Sequence, residues 1–258
     1  MAKPELPVLM YHGLHAERAQ RGRFDAVYSV HPRAFAQQLD WLRENGYRTI
    51  LLRDLQATSD TAKRVVITFD DGDASNFEVA LPLLRERAMC AEFFITADFI
   101  DQAGMLSAAE VRALAAAGMS VQSHGATHRY LAELDESALE AELRDSKQRL
   151  EALTQQPVDA LALPGGRGGE RERATALRLG YRHVLNSVPG ANFGWQQGHY
   201  LERIAVTQHL PLQAFASLVQ WRGLRPRANK ARFALLAWGK RALGTQRYER
   251  LRARLIGR

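Results

Sequence analysis

The stretch VVITFDDG, residues 65–72, is a β-branched and apolar run that stops abruptly on two adjacent carboxylates, Asp70 and Asp71. Residues of this kind favour a pleated strand, and near-continuous apolarity marks a strand covered on both faces. Paired acids at a buried strand end repel each other unless a cation lies between them, and a divalent metal is the simplest such cation. Successive strand residues point to opposite sides. The two aspartates therefore take different tasks: one can ligate the metal while the other faces the substrate water.

Similar runs recur at residues 7–11, 48–52, 91–96, 119–123, 160–163, 181–185 and 203–206, separated by helical patterns. Phe35, Leu39 and Leu42 fall on one helix face that ends at Asn45-Gly46, where glycine accepts a left-handed cap. Ser107 with Glu110 reads as a capping box ahead of Val111 and Leu114, with Gly118 as the stop. Leu139, Leu143, Leu150 and Leu153 mark a longer helix, and Leu177 precedes a further stop at Gly180. About eight β/α units in roughly 210 residues is the size of a (β/α) barrel, whose active site gathers at the carboxyl ends of the strands. Residues 14–27, polar and Arg-rich, are predicted to form an insertion or lid loop after the first strand.

The residues that follow the strands can do chemistry. His12 follows the first, Asp70 and Asp71 the third, His124 and His128 the fifth, and Pro164-Gly165-Gly166 the sixth. In SHGATH, residues 123–128, the two histidines stand four apart, close enough to converge on one ion. One carboxylate with two imidazoles is a three-ligand set that leaves positions open for water and a carbonyl oxygen, the catalytic arrangement of zinc-like metals. Taken singly each element has a plainer reading: DDG as a solvated turn, the histidines as surface or capping residues, His12 as a structural histidine, and 164–166 as a strand-ending turn. Their joint placement on one rim favours the site. Asn192, Phe193 and Trp195 read as a loop that either lines the cleft or packs on the barrel.

The chain has 258 residues, 46% of them hydrophobic, which supports a sizeable core and excludes disordered or collagen-like structure. Cys90 is the only cysteine, so no internal disulfide forms, and it is expected to pack as a small apolar residue. With no disulfide framework and no apolar leader at the amino end, the expected location is a reducing, cytoplasmic one. Residues 221–258 hold 12 Lys+Arg against one acid, Glu249, whereas residues 1–220 hold 23 bases and 27 acids. The expected organisation is therefore a body, residues 1–220, and a cationic amphipathic helical tail, residues 221–258. That tail, with Phe233, Leu235, Leu236, Trp238 and Leu243 beside Lys240 and Arg241, reads either as a solvated helix under the barrel or as a segment on anionic lipid headgroups at the inner membrane surface. Nothing else in the chain supports nucleic-acid readout.

TFDDG at 68–72, SHGATH at 123–128 and LALPGG at 161–166, in this order, resemble the polysaccharide deacetylases, also called NodB-homology or carbohydrate esterase family 4 enzymes. VLMYHG at 8–13, the helix entry at 28–47 and the segment 76–96 are also similar to bacterial members, so the resemblance extends over roughly residues 7–220. It implies an α/β fold, an irregular (β/α)7 barrel, here with a basic helical C-terminal extension. It implies Asp70 as catalytic base, Asp71, His124 and His128 as metal ligands, and the backbone N–H of Gly165 as the oxyanion donor. The third motif differs, with Ala162 and Gly165 where many members carry an arginine and a tyrosine. Arg167 is a candidate electrostatic substitute, and His209 in LERIAVTQH is the candidate general acid. His12, Pro164, Arg167 and Trp195 complete the candidate substrate contacts.

The expected function is removal of an N-acyl group, acetyl above all, from an amino sugar in a glycan or lipid-linked glycan precursor, with Zn²⁺ or else Co²⁺ or Ni²⁺. Two alternatives stand beside it: a deformylase or other amide hydrolase on the same scaffold, and a glycan-binding protein without turnover.

Overall fold

A computed structural model of the chain describes residues 6–55, 63–194 and 196–243. In it β1 (Val8–Tyr11) is followed by α1 (Pro32–Glu44), β2 (Tyr47–Thr49), β3 (Lys63–Asp71), α2 (Leu81–Glu86), β4 (Glu92–Ile95), α3 (Ala108–Ala116) and β5 (Ser120–Ser123). The chain continues through α4 (Glu136–Thr154), β6 (Ala160–Ala162), α5 (Glu170–Arg178), β7 (His183–Leu185), β8 (Tyr200–Leu201), β9 (Ile204–Ala205), α6 (Leu212–Val219) and α7 (Leu224–Leu243). Every strand pair is parallel, in the order β8-β7-β6-β5-β4-β3-β1-β9, with β2 paired to the start of β3. The sheet is a curled α/β half-barrel, consistent with the parallel (β/α) barrel that the strand and helix pattern predicts.

Alternation along the strands divides the interior in two. Val8, Val66, Phe94, Ala160, Ala162, Leu185 and Leu201 pack inside the curl, and the small alanines on β6 suit its tight radius. Their neighbours Leu9, Ile67, Phe69, Phe93 and Ile95 face outward onto Leu39, Leu42, Val111, Leu114, Leu139 and Leu143 of the helices. The helix punctuation also holds, with Gly46 after α1 at φ 76° and Ser107 and Glu110 in a reciprocal capping box, and the structure adds His31 as the cap of α1 ahead of Pro32.

β8 and β9 are separated by two residues in sequence yet lie at opposite ends of the strand order. Glu202 and Arg203 therefore cross the seam where the sheet curls back towards itself. The Arg203 N–H donates to the Val188 carbonyl and the Val206 N–H to that of Met10, which ties both edges together.

Two expectations need correction. The strand expected at 48–52 is shorter: it pairs only over Tyr47–Thr49, after which Leu52–Asp54 turns as a 3₁₀ segment whose Leu52 N–H is taken up by Glu92. The tail is not a separate appendage along its described length, nor a cover for the barrel's bottom. α7 packs on α6, Lys230 bonds Glu202 at 2.9 Å, and its first half lines the same cavity as the strand ends. Residues 244–258 lie outside the described residues. No helix among the described residues is long and apolar enough to cross a membrane.

Candidate active site

The carboxyl ends of the strands open into a cavity of about 1290 Å³, lined at its base by Met10, His12, Asp70, Asp71, His124 and His128. Asp70 and Asp71 close β3, and the geometry separates them as strand alternation requires. Asp70 points into the barrel above Thr68 and accepts a 2.7 Å hydrogen bond from Nη1 of Arg203. Both side chains of this pair are buried, Arg203 at 0% and Asp70 at 3% exposure, so neither charge is met by water. Burial alone raises the Asp70 carboxyl, but Arg203, with His124 and His12 nearby, holds it below the usual carboxylate range.

Asp71 leaves the strand with φ 75°, and His128 sits at φ 65°. Left-handed backbone at two non-glycine positions is strained and persists where the surroundings enforce it. Oδ1 of Asp71 lies 3.3 Å from Nε2 of His124 and 3.2 Å from Nε2 of His128. That buried oxygen nevertheless lacks a hydrogen bond of proper alignment. An orphaned carboxylate oxygen between two imidazole nitrogens, with all three donor atoms within 4.8 Å of one another, is a ligand set suited to one divalent ion.

The surroundings fix the ligands. Nδ1 of His124 is 2.9 Å from the Ala162 carbonyl oxygen, so as an N–H donor it leaves the Nε2 lone pair for the ion. Glu142 of α4 accepts from the Thr127 N–H at 2.7 Å and from its hydroxyl at 3.0 Å, pinning the loop between the two histidines. Asp71 is held well below the ordinary carboxylate range: burial opposes ionisation, and the two imidazoles more than offset it.

His12 stands against the same cavity, its ring stacked on Tyr28 at 4.4 Å and its Nδ1 without a hydrogen-bond partner. Burial lowers its pKa, with Asp70 and Asp71 pulling the other way. Gly165 and Arg167 line the wall. Gly165 has φ 61°, and a Cβ there would lie 2.5 Å from Cε1 of Tyr130, so the ring of Tyr130 fills the place of a side chain at 165. Arg167 stacks over that ring at 4.1 Å.

Residues 57–184 match the sequence profile of the family described as polysaccharide deacetylase. These residues form a polysaccharide deacetylase domain. The Bacillus subtilis (strain 168) protein YxkH, which is named after the same family, is 29% identical over 221 residues, covering 84% of this chain and 76% of that protein. The crystal structure of a polysaccharide deacetylase from Bacillus cereus is 27% identical with a TM-score of 0.74, over 84% of this chain and 69% of that one. A Streptococcus pyogenes deacetylase, PplD, solved with acetate, shares the fold at 24% identity and a TM-score of 0.76, over 84% and 99% of the two chains. With this domain and these homologues the protein is a hydrolase of the carbohydrate N-deacetylase class.

Measured against this polysaccharide deacetylase site, the sequence expectations divide. The structure brings together Asp70, Asp71, His124, His128, His12, Gly165 and Arg167. It does not bring His209, which is exposed on the turn after β9. There Thr207 and Leu210 line the cavity instead, because the chain turns away into α6. Pro164 is buried beneath Gly125 and leads the turn without lining the cavity. Arg167 does not reach Asp70 as a substitute for the missing motif arginine: it is engaged with Tyr130, and Arg203 supplies the cation. Trp195 lies outside the described residues. Sequence reasoning missed Arg203 and Tyr130. A lone arginine between Leu201 and Ile204, in an otherwise apolar run, was the available signal for the first.

Proposed function

We propose that this protein is a metal-dependent amidohydrolase that removes an N-acyl group, acetyl above all, from an amino sugar. The observation that carries the reading is the meeting of the Asp71, His124 and His128 donor set with the Asp70–Arg203 pair and His12 at the base of one cavity. Asp71, His124 and His128 would hold the ion, Zn²⁺ being favoured by the carboxylate-imidazole set, with Co²⁺ and Ni²⁺ as alternatives. When bound, such an ion polarises the acyl carbonyl and lowers the pKa of water from ~15.7 towards ~7.

Asp70 takes the proton of the attacking water. Arg203 fixes the position of the Asp70 carboxylate and keeps it ionised in a buried place. The backbone N–H of Gly165 is the candidate donor to the developing oxyanion. His12, protonated, hands a proton to the departing amine nitrogen, in place of His209. Acyl and amine then part as the free acid and the amino sugar, one water having been consumed. An alanine at position 162 leaves room for the alternative of a binding protein without turnover, and the Arg203 contact to Asp70 argues for the enzyme.

The deciding experiment is Asp70→Asn, purified with metal bound, assayed for acid released from N-acetyl sugars. The wild type releases acetate and the variant loses nearly all of the rate. A variant that keeps most of the wild-type rate overturns the reading.

A further inference from the structure

The base of the cavity is balanced in charge and its outer wall is not. At the base Asp70 is met by Arg203, and Asp71 faces two imidazoles. The outer wall carries Arg23, Arg167, Arg225 and Arg232. None of these four guanidinium groups has a carboxylate partner among the described residues, whereas Arg21 ends on Glu78 and Glu110 and Arg173 on Glu170. The wall's two acids are engaged elsewhere: Asp25 accepts from the N–H groups of Val27 and Tyr28, and Asp73 accepts from the N–H groups of Arg23 and Ser75 and lies 3.3 Å from Nε2 of His15.

The geometry of α7 bears on this. Arg225 and Arg232 stand seven residues apart, two turns along one helix face, with Ala228 and Asn229 between them on the same cavity-lining stripe. Small residues between two arginines leave a gap on the helix into which an anion fits. Arg167 contributes from the loop after β6, its plane already ordered against Tyr130. Guanidinium groups present paired donors in a fork that matches phosphate oxygens.

The reaction product sharpens the argument. Deacylation leaves an ammonium group, so a polymer already freed of acyl groups on neighbouring sugars is repelled by a cationic wall, and a neutral chitin-like chain gains nothing from it. A sugar carrying its own negative charge gains from every arginine. We propose that the Arg167, Arg225 and Arg232 wall binds a phosphate group attached to the acylamino sugar, so that the substrate is a phosphorylated or diphosphate-linked amino sugar. This deepens the deacetylase reading above and rests on it for the chemistry, though not for the binding.

The test therefore has two parts, both on the full chain. In the first, calorimetry compares glucose 1-phosphate with methyl glucoside, neither of which carries an amide. Binding of the phosphate alone is expected, weakened at least about tenfold in the Arg225→Gln/Arg232→Gln double variant and separately in Arg167→Gln, and diminished by added salt. Failure of the wild type to bind the phosphate, or binding unchanged in both variants, overturns the proposal even if the enzyme deacetylates.

In the second, the metal-loaded enzyme is assayed on the methyl glycoside of N-acetylglucosamine, on its 1-phosphate and on a short-chain prenyl diphosphate-linked form. A kcat/KM at least about tenfold higher for the phosphorylated forms supports the proposal, and the larger of the two values shows whether a soluble or a lipid-carried phosphate is preferred. Equal kcat/KM for neutral and phosphorylated forms overturns it. If no substrate releases acid, the deacetylase reading fails, and the calorimetry still decides the arginine wall.

Discussion

The two ends of the barrel both bury polar side chains, and they treat them in opposite ways. At the start of β4, Glu92 accepts from the Leu52 N–H at 2.6 Å, and at the start of β6, Gln122 reaching across from β5 accepts from the N–H groups of Asp159 and Ala160 at 3.0 and 2.8 Å. These groups close backbone valences that short strands leave open. At the carboxyl ends, Asp70 meets Arg203 and Asp71 faces two imidazoles from a backbone at φ 75°; an unmatched oxygen occurs at both ends, on Asp71 and on Glu92. Satisfaction by backbone marks a structural end, and mutual dependence of ionised side chains marks a working one.

That contrast can be broken, and the largest effect is expected at Asp70. Asp70→Asn keeps the shape and removes the base, so kcat should fall by about 10²–10⁴-fold while the thermal unfolding midpoint changes little. A midpoint that collapses along with the activity would make Asp70 a structural residue like Glu92. Next, Arg203→Met strands a buried carboxylate, which is expected to lower stability by roughly 3–5 kcal/mol in denaturant titrations. With Arg203 gone, burial raises the Asp70 carboxyl, so the acid limb of the pH–rate profile should move to higher pH. An unmoved limb would separate Arg203 from the base.

His12→Gln is expected to reduce kcat by about 10²-fold with little change in KM, and to remove the alkaline limb if the imidazole is the proton donor. Because burial lowers the His12 pKa, that limb should begin below the pH of an ordinary histidine. An equal rise in KM instead would make His12 a substrate contact.

The smallest effect tests the structural end. Burial pushes Glu92 from an ordinary 4.5 up to about 7. The folded state therefore binds its proton more tightly than the unfolded one, and stability from this group is present below pH 4.5 and lost as pH rises through about 7. The loss amounts to roughly 3 kcal/mol at about 1.4 kcal/mol per pKa unit. Urea midpoints should fall between pH 5 and pH 9 in the wild type and stay flatter in Glu92→Gln. Identical slopes would show that Glu92 is ionised throughout.

Much of this architecture was legible in the residues themselves, for identifiable reasons. β3 and β4 are buried on both faces, so Val65 to Phe69 and Phe93 to Ile95 run apolar with only Thr68 between, and the caps at Ser107 and Gly46 follow local rules. The Asp71, His124 and His128 cluster was legible because its members sit at or shortly after strand ends, where a barrel must collect them. β8 escaped notice because two residues carry no periodicity. Arg203 escaped because its partner Asp70 is 133 positions away and they meet only across the seam. The place of α7 was misjudged since cationic amphipathicity identifies a helix face but not what that face adjoins.

The seam gives this barrel an unusual linkage. β8 and β9 are two residues each, the shortest strands of the sheet among the described residues, and the arginine that bonds Asp70 is strung between them. Slight parting of that join would withdraw the guanidinium long before the helices loosen. Mild heating or low urea should therefore silence turnover while circular dichroism still reads as native, making the enzyme's output a gauge of how tightly its own cylinder is shut.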